Sequence, residues 1–276
     1  MMAKAVSKHG VRPHLVKQLR RAGKGARLMV SLLRQGDTGA LHDIRVQART
    51  MASVLQPFLE LPHMKPVRRR LEPLKSWMRK SNRVRDAEAQ LELIEELLPE
   101  SYPRDAQRHI AKISGELVRR RGAMAQSTGL IKLPRRIERL AEAADVSLDH
   151  FSPTELIAVV AHAGESLVSE LRNDCAAGLQ DARQWHQARL RIKRLRYLSD
   201  YFRDFLDPRF QEIATDTKLA QQNLGRLRDW QNLRAAMADV PAMAQWLAGH
   251  AELEAELTRQ AEAAMASLAH KLAAQG

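Results

Sequence analysis

Cysteine is almost absent from this sequence, because Cys175 is its only one. One thiol cannot form a disulfide framework or a thiolate metal cluster, which excludes a small disulfide-stapled secreted protein. We therefore expect a protein of a reducing compartment, in which Cys175 is a buried structural residue.

Aromatic residues are also scarce, at 4%, and 13 glycines and 11 prolines are few for 276 residues. The sequence is instead rich in Leu, Ala, Arg, Glu and Gln, which favour helices over sheets. With 45% hydrophobic residues, a chain of this length can bury a substantial core. The composition predicts an all-α protein.

Long apolar runs and familiar catalytic motifs are missing as well. No apolar run approaches the roughly 18 residues of a membrane span, and no secretory signal is evident at the N-terminus, so we expect a cytoplasmic protein. The sequence has no phosphate-binding glycine loop, no HExxH and no recognisable nucleophile–base pair. We predict no enzymatic activity, no cofactor and no resident metal.

Positive charge, in contrast, is abundant. The sequence has 45 Lys and Arg against 32 Asp and Glu, a formal net charge of +13, and 33 of the 45 basic residues are Arg. The planar guanidinium fork pairs with phosphate through two parallel hydrogen bonds. The charge predicts a polyanionic partner, which is nucleic acid, an anionic membrane or a phosphate polymer.

Two stretches of the sequence repeat the same basic pattern. HDIRVQARTMASVLQPF, residues 42–58, aligns without gaps to HQARLRIKRLRYLSDYF, residues 186–202. The alignment places His42, Arg45 and Arg49 on the second copy's residues His186, Arg189 and Lys193. Further on, NRVRDAEAQL (82–91) matches GRLRDWQNLR (225–234), which pairs Arg83 and Arg85 with Arg226 and Arg228. These matches predict a duplicated chain with repeats of about 10–145 and 146–276.

Each copy separates its basic residues from its apolar ones around a helix. Phe58 and the apolar residues before it fall on one side, and His42, Arg45 and Arg49 lie roughly 120° away. The second copy places His186, Arg189, Lys193 and Arg196 in the same sense. We call these sets the first and second basic stripes. A merely solvated face mixes charge signs, whereas no acid interrupts the second stripe, so we predict that the stripes converge on an anion across a pseudo-two-fold axis.

The motifs LHDIRVQART, VRDAEAQL, WHQARLRIKRLRY and LRDWQNL resemble those of the CHAD domain family, named for its histidine-bearing α-helical fold. The resemblance covers about residues 10 to 270. It implies a single domain, here residues 1–276, of two similar helical bundles about a pseudo-two-fold axis. It also implies a basic central cavity that binds inorganic polyphosphate.

Residues of the cavity follow from the matching positions. The resemblance places there His42, Arg45 and Arg49 of the first copy, and His186, Arg189, Lys193, Arg194 and Arg196 of the second. Arg83, Arg85, Arg226 and Arg228 are further candidate phosphate contacts, with Asp86 and Asp229 orienting a His or an Arg. Thr50 departs from the family pattern, because a basic residue usually stands there, as Arg194 does in the second copy. The triphosphate-processing motif that accompanies some members is absent, so the resemblance implies binding without catalysis.

Two alternatives stay open at this point. Nucleic acid also attracts a basic protein, although aromatic residues for base stacking are missing from the stripes themselves. Chelation of a divalent metal by the histidines is the weaker alternative, because His42–Asp43 has no partner His at ligand spacing. The sequence therefore favours a cytoplasmic polyphosphate-binding protein associated with polyphosphate granules.

Overall fold

The computed structural model describes residues 10–97, 104–178 and 181–274. Helices dominate these residues and no strand occurs among them. The helices are α1 (Val11–Arg34), α2 (Gly39–Leu55), α3 (Lys65–Leu97), α4 (Arg104–Ala125), α5 (Thr128–Ile131), α6 (Leu133–Leu148), α7 (Pro153–Ala177), α8 (Ala182–Tyr201), α9 (Arg209–Glu212), α10 (Ala214–Met237), α11 (Pro241–Ala248) and α12 (Ala251–Ala274). The predicted all-α class is confirmed.

Side-chain caps explain where two of the long helices begin. Before α7, the Ser152 hydroxyl accepts a hydrogen bond from the Glu155 amide at 3.2 Å, and the Glu155 carboxylate accepts one from the Ser152 amide at 2.7 Å. Asp181 and Gln184 form the same reciprocal pair before α8, at 2.8 and 3.3 Å. Each pair satisfies amides that the first helical turn leaves without an intrahelical partner.

The chain forms two compact units, and neither is continuous in sequence. Unit 1 contains the described residues up to Asn82, together with Arg121–Glu165 and Tyr197–Pro208. Unit 2 contains the described residues of Arg83–Arg120, of Ser166–Arg196 and from Arg209 onward. The single domain, the repeat boundary near residue 145, the pseudo-two-fold axis and the central cavity all stay predictions.

Unit 1 is built around α1, which packs against α2 and α6. Its apolar side is buried and includes Val11, Leu15, Leu19, Ala26 and Leu33. The rings of Phe58 and Phe202 meet edge to face in the same unit, with centroids 6.0 Å apart. The period of apolar residues along α1 therefore decides which side of this helix faces its neighbours.

Unit 2 is organised by the packing of α10 against α12. The core side of α10 includes Leu224, Trp230 and Leu233, and that of α12 includes Leu257 and Leu268, all buried. This packing fixes the rotation of α10 about its axis, and hence the direction in which Arg228 points. None of the described helices is both long and apolar enough to cross a membrane.

Candidate anion-binding site

The second basic stripe lies along α8 in unit 2. His186, Arg189, Lys193 and Arg196 are all half-buried, whereas Ala188, Ile192 and Leu195 on the apolar side are fully buried. Arg194 is exposed and, at 100° per residue, is rotated about 80° or more from the stripe residues. The stripe therefore runs along the edge of the packed side of α8, where long basic side chains are held by their surroundings.

A small cleft between α8 and α10 brings part of the predicted site together. Its lining consists of Trp185, His186, Arg189, Leu224, Leu227, Arg228 and Gln231. Three of these side chains carry or can acquire positive charge, and none carries negative charge. The cleft thus joins residues from both repeated motifs of the second half, the stripe of α8 and the Arg-x-Arg-Asp segment of α10.

The electrostatics of His186 report this concentration of charge. Its pKa is lowered, first by burial and then by the positive charges of Arg228 and Arg189. The buried Nδ1 atom of its ring has no hydrogen-bond partner within the described protein. An anion in the cleft would oppose both effects, because it offers acceptors and compensates the two guanidinium charges.

Asp229 follows Arg228 on α10, and the pKa of its carboxyl is shifted upward, whereas that of His186 is shifted downward. Burial raises the pKa of its carboxyl, and the charges of Asp86 and Glu92 add to this, whereas Arg189 and Arg85 lower it. Asp229 is electrostatically coupled to Arg189, and the orienting role of this aspartate stays a prediction. The carboxylate is not among the residues that line the cleft.

Arg191 explains how α8 tolerates so many positive charges. Its Nε atom donates to Glu170 at 2.6 Å and its Nη1 atom to Asp174 at 2.8 Å, and both carboxylates belong to α7. Arg191 thus lies on the side of α8 that faces α7, away from the cleft-lining residues. Part of the self-repulsion of α8 is compensated by a neighbouring helix.

The other candidate arginines of unit 2 lie in different surroundings. Arg226 donates to Glu96 at 2.6 Å, and Arg85 donates to Glu92 at 2.9 Å. Arg83 is exposed on α3. Arg226 and Arg85 thus already have carboxylate partners, and a phosphate ligand would have to compete with these ion pairs.

The first basic stripe lies on α2 in unit 1, and its members differ in depth. Arg45 is only 4% exposed, and its guanidinium donates to the Met78 carbonyl at 3.2 Å, to the Ser81 hydroxyl and to the Asn82 amide oxygen at 3.0 Å. His42 is exposed and Arg49 is half-buried. Arg45 is therefore engaged with α3, and direct contact of this residue with phosphate stays a prediction.

Matching positions of the two copies meet in both units. Arg45 bonds to Asn82, and the guanidinium of Arg189 lies over Gly225, where a Cβ atom would be 3.7 Å from its Nη2 atom. The sequence alignment pairs Asn82 with Gly225. Sequence reasoning did not assign a role to either residue, although each immediately precedes the repeated Arg-x-Arg-Asp segment.

Trp185 and Gln231 also line the cleft but were not among the predicted site residues. Position in sequence could have indicated both, since Trp185 adjoins His186 and Gln231 lies three residues after Arg228, on the same side of α10. In the described part of the chain, no three His, Cys, Asp or Glu side chains come together in a way that could hold a metal ion.

Comparison with known proteins identifies the class of this fold. The model of the CHAD domain family matches residues 14–238. The chain therefore belongs to the CHAD domain family. No curated protein matches the chain.

Solved structures show the same fold. The chain is similar to the CHAD domain of the plant Ricinus communis, with a TM-score of 0.73 and 17% identity, over 96% of this chain and 92% of that one. It is also similar to PptA from Streptomyces chartreusis, with a TM-score of 0.61 and 20% identity, over 96% of this chain and 99% of that one. At these identities the likeness concerns the fold alone.

Proposed function

We propose that this protein binds inorganic polyphosphate without chemically altering it, and that the cleft between α8 and α10 is part of the binding site. The observation that carries the proposal is the presence of His186, Arg189 and Arg228 around one cleft with no carboxylate in its lining. The lowered pKa of His186 supports it, because burial and then the positive charges of Arg228 and Arg189 lower it, and a bound anion would favour the protonated ring.

Arginine and histidine supply the chemistry that a phosphate chain requires. Guanidinium groups donate charge-assisted hydrogen bonds to phosphoryl oxygens, and a protonated imidazole donates from both ring nitrogens. Membership of the CHAD family and the net charge of +13 support the same ligand class. We further propose that the protein acts in the cytoplasm, at polyphosphate granules.

Nucleic acid is the competing ligand, and Trp185 is the observation that favours it. An indole in the cleft lining could stack on one base. Binders of single strands stack successive bases on several rings, however, and the other cleft residues are aliphatic, basic or amide side chains. The side chains that line the cleft thus suit a ligand with charge and no bases better than they suit a nucleic acid.

A matched pair of variants on α8 tests the proposal. Arg189→Ala removes a cleft arginine, and Arg191→Ala removes an arginine two residues away that pairs with α7. Calorimetric titration with long-chain polyphosphate at roughly physiological salt should show binding weakened about tenfold or more by Arg189→Ala, because hydrogen bonds to charged groups contribute about 1.5–3 kcal/mol. Arg191→Ala should bind like the wild type.

Arg228→Ala provides a second test, since it leaves the coupling between Arg189 and Asp229 in place. Its affinity should fall by a similar factor, and the slope of log affinity against log salt should become shallower by about 0.7–0.9. Equal losses in the cleft variants and in Arg191→Ala would indicate a diffuse positive field instead of a site. Tighter binding of DNA than of polyphosphate, at matched phosphate concentration, would overturn the proposal.

A further inference from the structure

Helix α1 of unit 1 carries a second concentration of positive charge that the cleft of unit 2 does not use. Its 24 residues contain seven Lys and Arg and no Asp or Glu. A helix on an ordinary solvated surface mixes both signs and gains i,i+4 ion pairs. The distribution of the seven charges around α1 shows which of them are already compensated.

One side of α1 is neutralised by α6. Arg12 donates to Asp145 at 2.9 Å, Arg20 donates to the same carboxylate at 3.0 Å, and Arg27 pairs with Glu138. Arg12 also pairs with Asp149. These ion pairs hold α1 against α6, so three of the seven charges have a structural partner.

Lys17, Arg21 and Lys24 differ from these three arginines, because they do not take part in the ion pairs with α6. All three are exposed, and the ion pairs that join α1 to Asp145, Asp149 and Glu138 are made by other residues of the helix. Their i, i+4, i+7 spacing places them on one side of the helix. They line an open groove of about 560 Å³ together with Arg12, Arg20 and Val16. The carboxylate of Asp145 also lines this groove, where its charge is paired with Arg12 and Arg20.

A second groove of about 560 Å³ follows along the same helix. Arg34 of α1 and Arg135 of α6 line it, with the side-chain amides of Gln35 and Gln126 as further hydrogen-bonding groups. Because α1 rises about 1.5 Å per residue, the part of the helix that lines the two grooves between Lys17 and Arg34 is about 25 Å long. An elongated surface of this kind fits a linear polyanion better than a compact anion.

The lining of the grooves distinguishes between polyanions. Neither groove has an aromatic residue on which the bases of a single-stranded nucleic acid could stack. The apolar side of α1 is buried against its neighbours, and Leu28, 57% exposed, is the large apolar side chain that it presents outward. A membrane-bound helix needs a whole apolar face for insertion. The surface thus matches a phosphate chain without bases or acyl chains.

We infer that the exposed basic side of α1 is a second docking surface for inorganic polyphosphate, additional to the cleft between α8 and α10. This inference rests on the proposed function, because it assigns the same polymer to another surface of the chain. Lys17, Arg21 and Lys24 supply the contacts, and the grooves beside them admit the chain.

The test compares two triple variants that lose the same charge. The first is Lys17→Ala/Arg21→Ala/Lys24→Ala, and the control is Lys65→Ala/Lys218→Ala/Lys271→Ala, which removes three exposed lysines scattered over α3, α10 and α12. All six positions are exposed, and thermal melts followed by circular dichroism establish that both variants fold. Binding of long-chain polyphosphate is measured by calorimetry over a series of salt concentrations, with duplex DNA and anionic vesicles as further ligands.

The α1 variant should bind polyphosphate about tenfold more weakly at physiological salt, and its salt slope should be shallower by about two, since three polymer contacts are lost. The control should change affinity by less than about twofold. If both variants lose affinity equally while the wild type binds, the docking surface is refuted and the proposed function stands. If the wild type does not bind polyphosphate, the proposed function itself fails. Loss of DNA or vesicle binding alone in the α1 variant would also overturn the inference.

Discussion

Arg45 gives the sharpest test of which predicted residues hold the fold and which hold a ligand. Its guanidinium is buried and donates to the Met78 carbonyl, the Ser81 hydroxyl and the Asn82 amide oxygen. Arg45→Ala removes these three hydrogen bonds and the packed aliphatic stem. We expect the variant to be less stable because acceptors in a buried region lose their partners.

The size of the loss in the free energy of unfolding depends on the surroundings of the three acceptors. Asn82 is exposed, so water replaces its lost bond, and the Met78 carbonyl keeps a hydrogen bond from the Ser81 hydroxyl at 2.9 Å. What remains is about one hydrogen bond to a charged group and the burial of the stem, together about 3–4 kcal/mol of the free energy of unfolding. For a chain of this size, such a loss lowers Tm by about 4–8 °C.

Urea unfolding, followed by circular dichroism at 222 nm, measures this change. Arg49→Ala is the control, because Arg49 lies one turn later on α2 and is half-buried; we expect a change below about 0.5 kcal/mol. Hydrogen exchange of the α2 amides should accelerate in Arg45→Ala. The reasoning is refuted if Arg45→Ala unfolds at the wild-type midpoint and yet loses polyphosphate affinity, which would make Arg45 a direct ligand.

Further predictions concern the protonation of His186 and the cap of α7. Because burial, Arg228 and Arg189 lower the pKa of His186, its contribution to the stability of the unliganded protein is lost as the pH falls below about 6.5 and through that lowered pKa. Bound phosphates raise the same pKa, so affinity for polyphosphate should instead increase from pH 8 to pH 6, and titrations of His186→Gln should give a flatter profile. Ser152→Ala should destabilise the protein by about 1 kcal/mol in urea unfolding, since it removes the cap of α7. The pKa of Glu155, lowered first by the Ser152 amide, should stay below its ordinary value in that variant when followed by NMR, because the amide hydrogen bond persists.

Much of the fold could be predicted because it depends on local patterns. Composition and the period of apolar residues predicted helices. The cap of α7 is equally local, because it needs residues only three positions apart. The spacing of His186, Arg189 and Lys193 likewise predicted a common side of α8. The structure places that side at the edge of the core, and two of these residues line the cleft.

Contacts between distant residues could not be read from the sequence in the same way. The ion pair of Arg226 with Glu96 joins residues 130 positions apart, and no local pattern indicates it. Helical spacing gives the direction of Arg45 but not its depth, so its burial against Ser81 and Asn82 was not foreseen. Among the described residues, the compact units also draw on separate stretches of chain, whereas the sequence repeat divides the chain once.

The difference between Asn82 and Gly225 has a consequence for the roles of the two matching arginines, Arg45 and Arg189. An amide at the first position gives its arginine an acceptor, whereas glycine at the matching position has no side chain to offer Arg189. Ser81, the other side-chain acceptor of Arg45, is matched by Leu224, so the second segment offers Arg189 neither acceptor. Two segments that match in sequence thereby use the same arginine differently: Arg45 ties α2 to α3, whereas Arg189 lines a cleft.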